Sequence, residues 1–412
     1  MSDIQPFRAF RPRPLLAARV ASPPYDVLSS EEARAMAAEE PLSFLHVVKA
    51  EIDLPPDEAV QPEKVYARSA VNLQAMIREK VLVQDANPAF YVYRLKRGDH
   101  IQFGLAAGCS VEEYANGSIK KHEHTRKDKE DDRARHMELL GVNAGPVLFT
   151  YRPVAAIRER IARLCSDPPA AEFTADDRVD HAVWVIDRPE EIAFLQEAFS
   201  AVDALYVADG HHRTASALRV RDIYRARNGN HSGKEAYNYF LAVLFPEDEL
   251  MLMGYHRVVK DLNGLAPAEF LERVGEIFDL EETDDPAPFA HRHWGMFLDG
   301  RWYRLKARPG SFPADDPVGG LDAAILQDLL LRPVLGIGDP RKDPRIDFVG
   351  GSRGTAELER RCELDMAVAF AFAPAGVAQI MAVADAGAVM PPKSTWFEPK
   401  LRSGLLVRSL GD

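Results

Sequence analysis

Short apolar runs rich in β-branched and aromatic residues alternate along this chain with longer stretches of helical period. That order constrains the fold more than any other feature. AFYVYRL (89–95) and QFGLAAGCSVEEY (102–114) read as two strands around a Gly-Asp turn. PVLFTY (146–151), HAVWVI (181–186) and ALYVA (204–208) read as further strands, followed by YFLAVLFP (239–246) and MLMGYHRVV (251–259). Between them lie the helical stretches PVAAIRERIARLC, PEEIAFLQEAFS and TASALRVRDIYRARNG. Interleaving of this kind predicts a mixed α/β (α+β) fold and excludes an all-β one.

The flanking regions fit the same class. Ser29 and Glu32 have capping-box spacing ahead of the helical EEARAMAAEE, and a second helix is expected over 63–80. GMFLDGRWYRL (295–305) reads as a hairpin turning at Asp299-Gly300. LDAAILQDLLLRPVLG and GVAQIMAVADAG (376–387) read as helices, and MAVAFAF (366–372) as a buried strand. A chain of 412 residues spans roughly two to three domains. The Pro/Asp-rich segment 284–293 is the expected seam. It gives units 1–285 and 286–412, the second contributing to the same site.

Composition narrows the function. The net charge of −12 and the absence of a helix-turn-helix pattern disfavour binding to a nucleic-acid polymer. No apolar run is long enough for a membrane span, and the opening MSDIQPFRAFRPRP lacks an apolar h-region, so no secretory signal is expected. Three dispersed cysteines, Cys109, Cys165 and Cys362, fit a reducing cytoplasm. Against this acidic background a few segments are rich in Arg, Lys and His.

The sharpest of these is VDALYVADGHHRTASALRV (202–220), a strand running into Asp209-Gly210-His211-His212-Arg213 with a helix opening at about Thr214. Glycine permits a tight turn, a helix start offers free N–H groups, and arginine supplies a forked cation. These are the parts of an anion cradle. Asp209 could hold a metal or accept a proton. The alternative is an ordinary strand–turn–helix with a polar loop.

A second cluster, 118–140, carries Lys121, His122, Glu123, His124, Arg126, Arg133 and His136. His122 and His124, if on a strand, would share a face and could hold zinc. Alternatively the cluster handles phosphate, with Glu123 as acid/base, or it is a solvated helix laced with ion pairs. Two further donor-rich segments follow, with Arg341, Arg345 and Arg353 in one and Lys393, Ser394, Thr395, Lys400 and Arg402 in the other. Tyr25 and Asp26 precede a helix start in SPPYDV. All of these also read as turn-forming or tail residues. No P-loop, HExxH, GxSxG or GxGxxG pattern occurs.

The ADGHHRTASA segment resembles the phosphate-binding G-x-[HR]-R-x-x-A element of the ParB/sulfiredoxin fold. The wider chain is similar to a family of bacterial and archaeal proteins of unknown function. The motifs that carry this likeness are FRAFRPRP, SPPYDV, KHEHTRKDKEDDRARH, ADGHHR, DPRIDFVGG and PPKSTWFEPKLRSG, from Phe7 to Arg402. Members of that fold include kinases that phosphorylate free L-serine to O-phosphoserine, with ADP or pyrophosphate as donor. The resemblance implies a ParB/sulfiredoxin-like core with α/β elaborations and a phosphotransferase using pyrophosphate, ADP or ATP. It implies Asp209 as the acidic residue of the loop and as a Mg²⁺ ligand. Gly210, His211, His212, Arg213 and Thr214 then face the donor, and Glu123 is the counterpart of the catalytic glutamate. Lys121, His122, His124, Arg126, Arg133 and His136 would assist at the donor. Tyr25, Asp26, Arg341, Arg345, Arg353, Lys393, Ser394, Thr395, Lys400 and Arg402 would serve the substrate. Histidine at 211 replaces the reactive cysteine of sulfiredoxin, which disfavours sulfinic-acid reduction. A phosphate-binding switch without turnover and a metal-dependent hydrolase using His122 and His124 are the competing functions.

Overall fold

A computed structural model describes residues 2–285, 287 and 290–411. The fold is mixed α/β, and the chain divides into two compact units. The first comprises residues up to Leu250 together with Pro399 onward; the second is Met251–Glu398.

The first unit is built on a nine-stranded mixed sheet. Its order is Ile119–Lys120, Leu205–Asp209, Val147–Tyr151, Tyr239–Pro246, His100–Ser110, Phe90–Arg97, Asp180–Ile186 and Ala171–Thr174, with Ile4–Gln5 paired to His100–Ser110. Two of the contacts are parallel, Leu205–Asp209 with Ile119–Lys120 and Tyr239–Pro246 with Val147–Tyr151. Apolar residues of the strands, such as Phe149, Val207 and Phe240, pack against Ile157 and Ile161 of one helix and Leu195 and Phe199 of another. A smaller four-stranded sheet joins Ala9–Pro12, Leu82–Gln84, Val142–Asn143 and Val407–Ser409. A helical layer packs over it through Phe44, Leu73 and Met76.

The second unit holds a six-stranded sheet whose neighbours are all antiparallel. Its order is Phe278–Glu282, Arg301–Ala307, His293–Leu298, Val368–Phe372, Tyr255–Val259 and Ile346–Gly350. The chain enters this unit at Met251–Met253 and leaves it at Trp396–Glu398. These two segments pair antiparallel, Met251 opposite Glu398.

Several expectations are met in detail. Ser29 and Glu32 form a reciprocal capping box for Ser30–Ala37. Asp299 and Gly300 turn the 293–307 hairpin with positive φ at both positions, +49° and +77°. Elsewhere packing redirects the chain. The strand expected over 102–114 stops at Ser110, because the Ser110 hydroxyl accepts the Glu113 N–H and starts a helix at Val111. The strand expected over 251–259 breaks at Gly254, where a Cβ would stand 2.0 Å from the Phe372 carbonyl oxygen. The expected seam at 285/286 lies inside the second unit, between two strands that both pair with Arg301–Ala307. Pro286, Pro288 and Phe289 of that segment lie outside the described residues.

Candidate functional site

The strand Leu205–Asp209 loses register at its end: Val207 opposes Phe149, yet Asp209 opposes Leu148. A bulge of this kind re-aims the terminal side chain. Gly210 follows at φ +101°, and a Cβ there would press to 3.1 Å against both Arg213 and Val147. Only glycine satisfies that backbone without strain. The helix His211–Arg227 begins at once, three residues earlier than its composition predicts. His211, His212 and Arg213 therefore form its first turn. Thr214 closes that turn, donating both its N–H and its hydroxyl to the Gly210 carbonyl at 3.0 and 3.1 Å.

Asp209 is gripped from two sides. Lys400 Nζ donates to its Oδ2 at 3.0 Å, and Arg213 lies 3.9 Å from its Oδ1. Burial alone would raise its pKa; Lys400 and Arg213 override burial and hold the carboxyl well below the usual carboxylate range. Arg213 is also 3.7 Å from Asp26 Oδ2 and donates to the Pro146 carbonyl, while its Nε is buried with no acceptor among the described residues.

Burial keeps two histidines at this loop neutral, His122 and His211. His122 is buried, and desolvation pushes its pKa down to about 4. Its ring meets that of His211 edge-on, with centroids 4.4 Å apart. Burial, aided by His122, holds His211 well below the usual range as well. His211 Nδ1 lies 3.7 Å from Glu123 Oε2, and its Nε2 is buried with no acceptor among the described residues. The Glu123 side chain remains 43% exposed.

Next to the loop is a pocket of about 560 Å³, whose walls include Tyr25, Arg133, Gly145, Arg213 and Ser403. The Arg133 guanidinium stacks over Tyr25 at 4.3 Å and pairs with Asp132 at 2.6 Å. Burial and Asp26 push the Tyr25 phenol up to about 12, so it stays a hydrogen-bond donor. Two arginines and a phenol on one wall suit an anion of small size.

A family model described as "Protein of unknown function (DUF1015)" matches residues 4–324, well over half of the chain. The chain belongs to this family. No curated protein is similar to it at a comparable level. Among solved structures it is similar to a free serine kinase in complex with AMP, at 10% identity and a TM-score of 0.35 over 75% of this chain and 91% of that one. It is also similar to SbnI with a C-terminal truncation from Staphylococcus aureus, at 13% identity and a TM-score of 0.38 over 74% and 87%. A conserved hypothetical protein from Pyrococcus furiosus gives 11% and 0.35 over 74% and 95%. These values are too low to transfer an activity.

Of the residues that the sequence marks in this family member, the fold gathers Tyr25, Asp26, His122, Glu123, Arg133, Asp209–Arg213 and Lys400 in the first unit. Others are spent differently. His122 and His124 do not share a strand face: the strand there ends at Lys120, His122 is buried and His124 is exposed. Among the described residues no group of three or more His, Cys, Asp or Glu is placed to hold a metal ion. Asp209 does not fit a Mg²⁺ site either, since both of its oxygens face cations.

Lys121 lies over the Tyr114 ring, and Arg126 pairs with Asp128 on the surface. His136 is a core residue donating its Nε2–H to the Val47 carbonyl, 3.3 Å away, with its pKa pushed down to about 3 by burial. Arg402 is 6% exposed and is committed to Asp177 at 2.6 Å and His181 at 3.4 Å. Arg341, Arg345, Arg353, Lys393, Ser394 and Thr395 belong to the second unit. There Asp339 accepts the Arg341 N–H and Asp343 the Arg345 N–H, so the Asp-Pro-Arg repeats are local turns. Ser394 donates to the Pro391 carbonyl, Lys393 lies over Tyr255, and Arg353 is exposed.

Gly145 and Pro146 are site residues that sequence reasoning passed over, whereas Ser403 belongs to the donor-rich C-terminal segment that it marked. The Gly-Pro step just ahead of PVLFTY was the available signal.

Proposed function

We propose that this chain is a small-molecule phosphotransferase, moving a phosphoryl group from pyrophosphate or a nucleotide to the hydroxyl of free L-serine. The observation that carries this reading is the cradle at Asp209–Arg213. A left-handed Gly210 opens a helix whose first turn presents His211 and Arg213, beside a pocket walled by Arg133 and Arg213. Helix N-termini and arginine forks are what a polyphosphate requires. The ADGHHR resemblance to the ParB/sulfiredoxin phosphate loop supports the same reading.

The serine hydroxyl oxygen attacks the terminal phosphorus, a new P–O bond forms, and the bridging P–O bond breaks. The leaving group is orthophosphate from pyrophosphate, AMP from ADP, or ADP from ATP. The hydroxyl proton goes to Glu123, the exposed carboxylate nearest His211; Asp209, clamped by Lys400, is too weak a base. Phosphoryl transfer is chiefly positioning and charge stabilisation, which this arrangement supplies. Mg²⁺ would arrive on the donor's own oxygens. The free cysteines fit a cytoplasmic setting. No helix among the described residues is long and apolar enough to cross a membrane.

The test is direct. Purified protein is incubated with L-serine, Mg²⁺ and pyrophosphate, ADP or ATP in turn, and O-phosphoserine is measured. Product with one donor, lost in Glu123→Gln, upholds the assignment. Saturable donor binding with no product from any donor replaces it by a phosphate-binding switch.

A further inference from the structure

The second unit holds a buried cation that nothing in the phosphotransferase reading uses. Successive residues of a strand face opposite sides, so Arg257 shares the face of Val259. That face lies in the core of Val259, Trp294, Met296, Phe370 and Phe372. Arginine on such a face is costly unless its charge is answered. Arg257 is 3% exposed. It gives one N–H to the Tyr255 carbonyl at 2.6 Å and one to the Pro392 carbonyl at 3.3 Å. It lies 4.2 Å from the Phe372 ring centre. Among the described residues it forms no ion pair, whereas the comparably buried Arg221 and Arg402 meet Glu112 and Asp177. Burial accordingly pushes its pKa down to about 10.

Arg257 opens on a partly open pocket whose apolar wall includes Tyr255, Phe372, Ala373, Ala375 and Met390. We propose that this pocket binds a small carboxylate with an apolar body, its two oxygens on the Arg257 guanidinium. A carboxylate matches the fork and restores a neutral pair. The pocket also contains Asp322, which accepts from the Arg292 N–H at 2.8 Å and lies 3.3 Å from His291 Nδ1. This fixed negative charge makes the site poor for a phosphate dianion. The apolar wall asks for hydrocarbon beside the charge. Such a ligand is either a plain organic acid or an amino acid whose ammonium faces Asp322.

The test uses the full chain, with isovalerate, L-leucine and inorganic phosphate as probes, followed by calorimetry and by Trp396 fluorescence. Trp396 meets Tyr255 edge-on at 5.1 Å, so it reports on the pocket wall. Saturable binding of isovalerate or L-leucine, weakened at least about tenfold in Arg257→Met, is the expected result. Tighter binding of L-leucine identifies an amino acid and tighter binding of isovalerate a plain acid; both uphold the site. Saturation by neither, phosphate binding as tight as both that is lost in Arg257→Met, or unchanged affinity in a folded Arg257→Met overturns it; phosphate binding that survives Arg257→Met belongs to the Asp209–Arg213 loop. Should Arg257→Met fail to fold, Ala375→Phe decides by filling the pocket: lost binding upholds the site, and unchanged binding refutes it.

Discussion

Lys400 does two things to Asp209: it keeps the carboxyl ionised and it fixes its direction. Replacing it by Lys400→Met leaves a partly buried carboxylate with one cation fewer. Stability at pH 7 should fall by about 1–3 kcal/mol, and phosphoryl transfer should fall with it. The folded-state pKa of Asp209 is depressed, so its contribution is present above the ordinary value near 4 and is lost as pH falls below it. Urea titrations of both proteins should therefore show a gap at pH 7 that narrows below about pH 4. Gly210→Ala forces a Cβ into φ +101° against Arg213 and Val147. A loss of about 1–3 kcal/mol is expected, together with weaker donor binding, read by denaturation and calorimetry.

At this scale only part of the site was legible. DGHHR stands out because five polar or turn residues interrupt an apolar strand and a helix. The meeting of Asp209 with Lys400 spans 191 positions, and that of Arg213 with Asp26 joins segments nearly as remote in sequence; no local period encodes either. His136 misleads for a related reason. It sits in a highly charged helical stretch, but the face it occupies is buried, and its ring meets Tyr66 edge-on.

Among elements, those with strong local signals formed where their patterns place them, and those set by side-chain competition did not. Ser110 ends a strand by capping a helix, and His122 and His124, whose spacing would suit a strand, fall in an irregular segment between the strand ending at Lys120 and the helix Lys127–Leu140. The alternation of apolar runs was enough for the class of the fold, because burial on one face demands it. Strand order was out of reach, since Val147–Tyr151 lies between Leu205–Asp209 and Tyr239–Pro246, neither of them its neighbour in sequence. One element carries a prediction of its own. Ser29→Ala removes the capping box of Ser30–Ala37, close behind Asp26, and should cost about 1 kcal/mol in chemical denaturation.

For the whole molecule, pH sets stability through buried neutral histidines. Burial pushes His122 and His256 down to about 4, and His136 and His181 to about 3. Below the ordinary value near 6.5 the unfolded chain takes up protons that the folded chain refuses. Stability should then decline from pH 6.5 toward pH 3–4, each such group adding a slope of about 1.4 kcal/mol per pH unit. Calorimetric Tm values across that window test the sign, and His136→Leu should flatten the curve if packing tolerates it. The two-unit division yields another expectation. Because Met251 pairs with Glu398, the ends flanking the second unit are adjacent. Excising 251–398 and joining Leu250 to Pro399 through a short glycine linker should leave a folded first unit with native-like circular dichroism.

That paired stem also sets an order in time. Residues 251–398 leave the ribosome before Lys400 and before the strand Val407–Ser409, which pairs with Ala9–Pro12 and Val142–Asn143. An emerging polypeptide can therefore finish its inserted unit while the Asp209 loop still lacks the lysine that clamps its carboxylate. The Asp209–Lys400 pair is among the last contacts to form, and a nascent chain interrupted in the stem carries an intact insert and an unclamped aspartate.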